Sequence, residues 1–432
     1  MGLAAALFGH WLEKAGPRKA GVAAAVFWGG GLMITSLGVS LHQLWLIWLG
    51  AGVIGGIGLG LGYISPVSTL IKWFPDRRGL ATGMAIMGFG GGAMIGMPLG
   101  DLLISNYGVG QTFFIMGLIY LIAMTIGAFG YRVPAEGWKP EGWNPIAKKT
   151  NHMISTSHVH VSNAHKTPQF WLLWGVLCLN VSAGIGVLSV AKPMFQEIAA
   201  SSFDPLIIGA IATGFGALLS LANIIGRIFW ASSSDFLGRK LTYAIFFSLG
   251  TALYLAAPWA GINQYIATFV LITLVILTMY GGGFATIPAY LADIFGTQHV
   301  GAIHGRLLTA WSLAGIVGPM LISYLREYQL SMGIPTDQAY NSSFKILALL
   351  LVGGFILNLL VKPVNKKFGM TPDELKAEQG ALKGNQSNSK IEASVTNTSL
   401  QKVVLPLAWI VVGVPISLGI LNALQKGIII FL

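Results

Sequence analysis

Apolar runs of about twenty residues, divided by short polar and basic stretches, organise this chain. A run of that length spans a hydrocarbon core of about 30 Å as a helix. The pattern predicts spans at 20–41, 44–71, 80–104, 111–131, 170–196, 205–232, 241–258, 264–293, 305–325, 342–361 and 403–424. Met1 to Phe8 read as the inner end of a further helix, too short to cross alone. Two longer polar stretches interrupt the series. The expected organisation is an N-terminal bundle at 1–131, a polar linker at 132–168 and a second bundle at 169–362. A polar tether at 363–402 and an added helix within 403–432 complete it.

The polar and glycine positions also repeat. Glu13 and Asp235 stand 222 residues apart, as do Gly16 and Gly238, Gly60 and Gly282, and Pro66 and Pro288. Gly79 and Gly301, Gly83 and Gly305, and Gly96 and Gly318 keep the same offset. A constant offset over so many positions implies an internal duplication. In an apolar chain it predicts two similar helical bundles in parallel repeat, with 44–104 matching 266–326. Many carriers are built this way, with the substrate held between the halves at mid-membrane. The sixth span, moved back by the offset, begins before residue 1. The repeat therefore predicts a twelve-helix plan lacking its first helix and most of its second.

Composition agrees: 54% hydrophobic residues, 9% charged, and a mean hydropathy of +0.70. Soluble domains carry about 25% charged residues. The net charge of +11 does not call for nucleic acid, because the basic residues alternate between loops. Lys14, Arg77, Lys148, Arg239, Lys366 and their neighbours fall on one side, against Lys192, Arg326, Lys345 and Lys426 on the other. This bias places the first set, with the central loop, in the cytoplasm of a bacterial inner membrane. The single cysteine, Cys178, excludes a disulfide framework. His152, His158, His160 and His165 lie in the linker without a nearby cysteine, so the expectation is a disordered linker and no metal site. No nucleophile–base pair or phosphate loop points to an enzyme or a cofactor.

The segment GHWLEKAGPRK (9–19) resembles the inner-loop motif of the major facilitator superfamily, with Glu13 for the usual Asp and Pro17 for an Arg. SDFLGRK (234–240) repeats it. WFPDRRGLATG (73–83), GRIFWASSSDFLGRK (226–240), GGGFATIPAYLADIFG (281–296) and HGRLLTAW (304–311) resemble the oxalate/formate antiporter family within that superfamily. The resemblance implies an all-α polytopic fold of two six-helix bundles and transport by alternating access. It also implies an arginine on the helix carrying Arg227 and a lysine on the eleventh helix, where Trp311 stands instead.

Acids at helix termini can pair with the positive N-terminal end of a neighbouring helix. Asp235 is expected to meet the start of the 305–325 span and Arg306, and Glu13 the start of 80–104. With Arg239 these residues form a candidate gate, or else a static loop turn. Gly88, Gly92, Gly96 and Gly318 are candidates for close helix packing or sliding, as are Gly52, Gly56 and Gly60 at four-residue spacing.

Arg227 is the one basic residue deep within a span, and no acid is equally deep. Asp101 and Glu197 lie toward the outer side, and Asp293 near the inner end. Intramembrane charges mark functional sites, and a guanidinium grips a carboxylate with two hydrogen bonds. The alternative is that Arg227 reaches the interface or pairs with backbone carbonyls. Asn223, Tyr63, Tyr280, Tyr290 and Trp311 are candidates for the same cavity. One cation suits a monocarboxylate such as formate, pyruvate or lactate better than oxalate. The expected protein is a monomeric carrier for a small organic anion, an exchanger more than a proton symporter. A transport-incompetent product or a non-transporting sensor are the other classes.

Overall fold

The computed structural model describes residues 1–134, 140, 153–155, 157–375 and six positions between 417 and 430. Within helices, the side chains of residues 10, 13, 14, 91, 93, 94, 97 and 98 are outside the described set. The predicted C-terminal span and Lys148 fall almost wholly beyond it.

Among the described residues the chain is helical. The first repeat comprises α1 (Gly2–Ala15), α2 (Pro17–Ser40), α3 (Leu44–Ile47), α4 (Gly55–Trp73) and α5 (Arg78–Phe129), the last broken into two helical segments at Gly108, whose φ is 75°. A π-helical stretch, Trp48–Ile54, joins α3 to α4 in one continuous span, Leu44–Trp73. After the linker helix α6 (Val161–Ala164) come α7 (Pro168–Ser189), α8 (Ala191–Ile198), α9 (Ile208–Leu237) and α10 (Arg239–Ile262). The second repeat closes with α11 (Ile266–Phe295), α12 (Val300–Leu307), α13 (Thr309–Ser331) and α14 (Asn341–Leu360). Nine helices among the described residues are long and apolar enough to span a membrane.

The offset inferred from glycines and prolines holds for the helix ends themselves. α2 and α10 start and stop 222 residues apart, and so do Leu44–Trp73 and Ile266–Phe295. α1 and α9 end in the same register, and α5 and α12 begin in it. The breaks are matched in conformation as well. Gly16 and Gly238 have φ of 83° and 86°, a region closed to most side chains. Each ends one helix and lets the next begin after a single residue. Pro66 and Pro288 both lie inside helices at equivalent positions.

Two expectations about the first repeat need correction. The four-residue glycine ladder packs only in part: Gly60 lies hard against Met1 and Ala4 of the first helical turn, whereas a methyl placed on Gly52 would meet no described residue within 4 Å, and Gly50 instead lies hard against Gly31 and Thr35. The π-helical stretch between Trp48 and Ile54 is the cause. Its wider turn rotates the residues that follow out of the regular i, i+4 register. Among the described residues, Gly88 and Gly92 also meet nothing within 4 Å, and Gly96 meets only the Tyr120 hydroxyl at 3.5 Å. Gly79, Gly83 and Gly90 of α5 abut α9, and Gly117 abuts the Gly29 carbonyl of α2. Gly318 does lie close against the Ser182 carbonyl of α7.

Part of the linker is docked, contrary to the expectation of disorder. Ser155 and Val159 donate backbone N–H bonds to the carbonyls of Asp293 and Phe295, at 2.7 and 2.9 Å. Met370 donates to the His158 carbonyl at 2.7 Å. These contacts define a linker side of the bundle, where α1, α4, α9 and α11 end and α5 and α12 begin.

Candidate functional site

Arg227 lies ten residues before the end of α9, about 15 Å from the linker side. It is 3% exposed. Its Nε donates to Asn223 Oδ1 at 2.8 Å, one turn back on the same helix. Nη1 donates to the Ile86 carbonyl of α5 at 2.8 Å, so one bond is of the backbone kind considered above. Nη2 has no hydrogen-bond partner among the described residues. The guanidinium carbon sits 5.4 Å from the Phe284 ring centre and 5.8 Å from that of Phe89. Aromatic faces stabilise a cation by about 0.5–2 kcal/mol each, without consuming its donors. The result is a desolvated cation, fixed through two donors and still able to bind an anion through a third nitrogen.

The aromatic residues are contributed by both repeats. Tyr63 of α4 packs on Phe284 of α11 at 5.2 Å and on Phe89 at 5.8 Å. Trp311 of α13 packs on Phe284 at 6.1 Å, and Tyr280 lies one turn before Phe284 on the same face of α11. Tyr63, Phe284 and Arg227 lie ten or eleven residues from the linker-side ends of their helices, and thus at one depth. The structure therefore gathers Arg227, Asn223, Tyr63, Tyr280 and Trp311 around one point between the halves. It does not bring Tyr290 there. Six residues beyond Phe284, Tyr290 is about 9 Å nearer the linker side and on another face of α11. It stacks on Tyr243 and lines a cavity of about 360 Å³ with Arg239, Lys240 and Asp293.

The gate residues are paired differently from the sequence expectation. Asp235 accepts the backbone N–H groups of Gly79 (2.9 Å) and Leu80 (3.0 Å), at the start of α5 in the opposite half. It does not meet Arg306, whose Nη1 donates to the Val161 carbonyl (2.9 Å) and contacts His165 Nδ1 (3.0 Å). The acid reaches across the repeat interface because α9 crosses α5 there, at the Gly79 and Gly83 contacts. Arg239 pairs with Asp235 at 2.5 Å and with Asp293 at 3.2 Å, and bonds Ser234. Arg78 adds a 3.1 Å bridge to Asp293. Asp235, Arg239, Asp293 and Arg78 thus form a continuous charged tie between the halves. The side chain of Glu13 lies outside the described residues. The backbone packing of the two repeats is matched nearby: Gly83 abuts the Arg227 carbonyl, and Gly305 abuts that of Ala5. Each pair is the 222-residue image of the other.

Sequence reasoning missed three participants. Phe89 and Phe284 are ordinary apolar residues in apolar spans, so only packing singles them out. His304 is different. It is 2% exposed, stacks on Tyr63 at 5.6 Å, and places Nε2 3.3 Å from the Tyr63 hydroxyl. A histidine within an apolar stretch was a signal open to a reader of the sequence.

The comparisons with known proteins agree with this architecture. The profile described as Major Facilitator Superfamily matches residues 1–319 and 183–431. The oxalate:formate antiporter of Oxalobacter formigenes is 26% identical over 376 residues, covering 85% of this chain and 82% of that protein. Apicoplast pyruvate carrier 1 of Toxoplasma gondii is 25% identical over 374 residues, covering 72% and 65%. Among solved structures, the E. coli fucose:proton symporter superposes with a TM-score of 0.60 at 12% identity, covering 84% of this chain and 88% of that one.

Proposed function

The chain belongs to the Major Facilitator Superfamily, and from that premise we propose that it carries a small organic anion across a membrane by alternating access. The observation that carries this reading is Arg227: a buried guanidinium at the interface of the halves, caged by aromatic rings, with one nitrogen unpartnered. A charged side chain at mid-membrane costs roughly 2.5–3.5 kcal/mol or more, and a carboxylate ligand offsets that cost. The relatives described as oxalate:formate antiporter and pyruvate carrier support the same class of cargo.

A single guanidinium, with Trp311 where the resemblance expects a second cation, favours a monocarboxylate such as formate, pyruvate or lactate over oxalate. The charged tie on the linker side is the closed gate of this reading. Its bonds cross the repeat interface, so they must break when the halves rock apart on that side. The excess of Lys and Arg in its loops supports a cytoplasmic position for that side, in a bacterial inner membrane. The test is counterflow in proteoliposomes preloaded with unlabelled pyruvate, formate, lactate or oxalate. Uptake of labelled pyruvate driven by monocarboxylates, and weakly by oxalate, is expected. No counterflow with any of the four would refute the reading.

A further inference from the structure

His304 is a buried imidazole near Arg227 that the anion site does not use. It belongs to α12 in the second repeat, while its partner Tyr63 belongs to α4 in the first. Nε2 faces the Tyr63 hydroxyl, and Nδ1 is buried without a hydrogen-bond partner. Leaving a buried polar atom unpaired costs about 1–3 kcal/mol, so an imidazole there needs a reason that a leucine would not. The rest of its surroundings are Ile64, Val67, Ser68 and Ile71 of α4 and Pro288 of α11.

Among the described residues, the charged and titratable neighbours of His304 are few. From α4 it faces Tyr63. Beyond Tyr63 lies Phe284, and Arg227 of α9 sits over the Phe284 ring. α1 meets α12 through backbone at Ala5 and Gly9. α6 and α7 meet the α12–α13 segment through Arg306 and Thr309. No described carboxylate reaches the imidazole.

We propose, building on the carrier reading, that His304 is the proton-carrying group of this protein, and that one proton moves with each monocarboxylate. Three features of the geometry make this work. The imidazole stacks on Tyr63, which packs on the Phe284 ring beneath Arg227, so a carboxylate at Arg227 favours its protonated form by Coulomb attraction across a poorly screened gap. The neutral ring has a free nitrogen position to accept the proton, because Nδ1 or Nε2 is unprotonated in either tautomer. The contact that buries it joins opposite halves, so separation of α4 from α12 exposes His304 to the linker side only when the gate opens there. The balance is simple: neutral imidazole gains one proton with the bound anion and returns it to water on the far side. The pair moved is a carboxylate and a proton, so the cycle transfers no net charge. An exchanger read from the lack of deep acids becomes a symporter once a deep histidine takes their place.

The test uses the full chain in proteoliposomes containing a trapped pH dye, with labelled pyruvate as the probe. Wild type should take up about one proton per pyruvate and accumulate it about tenfold for each unit of imposed pH gradient. His304→Gln should lose both the proton movement and the gradient-driven accumulation, while equal-pH counterflow continues at a reduced rate. If His304→Gln does not turn over, proton uptake on pyruvate binding to the purified protein decides: uptake in wild type and none in the variant supports the assignment. Equal proton uptake in both forms, or gradient-driven accumulation by His304→Gln, overturns it. Pyruvate counterflow by wild type with no proton movement defeats this inference alone, whereas absence of counterflow defeats the carrier reading beneath it.

Discussion

Removing the Asp235 carboxylate should unlock the linker side of the molecule. Asp235 accepts two backbone N–H bonds from the start of α5, and both cross from one half to the other. Hydrogen bonds to a charged group contribute about 1.5–3 kcal/mol each, and a carboxylate at a helix N-terminus adds about 0.3–1 kcal/mol. The Arg239 bridge lies within the same half as Asp235 and so does not count toward closure. Because the second bond shares its acceptor group and water replaces part of both, a combined effect of about 2–4 kcal/mol is expected. That shifts the ratio of closed to open states by roughly thirty- to several-hundred-fold. Ile71, 1% exposed beside His304 on the linker side of α4, is the place to read it. In a Cys178→Ala background, Ile71→Cys should react slowly with a water-soluble maleimide and at least tenfold faster once Asp235→Ala is added. Asp235→Asn, which keeps one acceptor oxygen, should fall between. An unchanged rate in properly inserted Asp235→Ala would show that the tie does not hold the gate.

Further expectations follow from the same geometry. Gly305→Leu should disfavour closure on the linker side, because a β-carbon there collides with the Ala5 carbonyl. Overpacking of this kind costs about 1–3 kcal/mol, read as faster labelling of Ile71→Cys. Cysteines replacing Lys14, Arg77, Lys148, Arg239 and Lys366 should all label from one side of the membrane, and labelling of position 148 from the opposite side would reverse the topology. Burial, followed by the neighbouring His299 and Arg78, pushes the His158 imidazole below its usual range. A depressed histidine favours the docked linker at pH above its unfolded value of about 6.5, and that contribution is lost as pH falls below it. Amide exchange at Ser155, Val159 and Met370, corrected for intrinsic rate, should therefore speed up between pH 7.5 and 5.5. His158→Ala should remove that dependence.

The duplication was legible because it rests on residues whose backbone role cannot be delegated. Gly16 and Gly238 hold positive φ, and Pro66 and Pro288 sit at matched positions inside helices, so their spacing carried the helix ends with it. The depth of Arg227 was legible for a similar reason, since a lone cation in an apolar span stands out. Partnership was not. Asp235 was expected to find a helix start in its own half, but which helix starts lie beside α9 is set by how the two repeats pack. Tyr290 lies away from Arg227 because the six residues from Phe284 to Tyr290 change both face and depth along α11. His304 was visible as a residue and missed as chemistry, since its importance comes from Tyr63, 241 positions away.

Replacement of Arg227, with uptake normalised to protein in the membrane, tests the central claim most directly. Arg227→Ala should insert normally and fail to transport. Arg227→Lys should keep the charge but lose most carboxylate binding, because lysine lacks the planar fork and gives up the Asn223 and Ile86 geometry. Truncating one partner of a desolvated charge pair costs about 2–5 kcal/mol, enough to take pyruvate counterflow below detection. A purely structural arginine would give the opposite pattern: low abundance for the alanine form and normal transport for the lysine form. Near-normal pyruvate uptake by well-inserted Arg227→Ala would contradict the account.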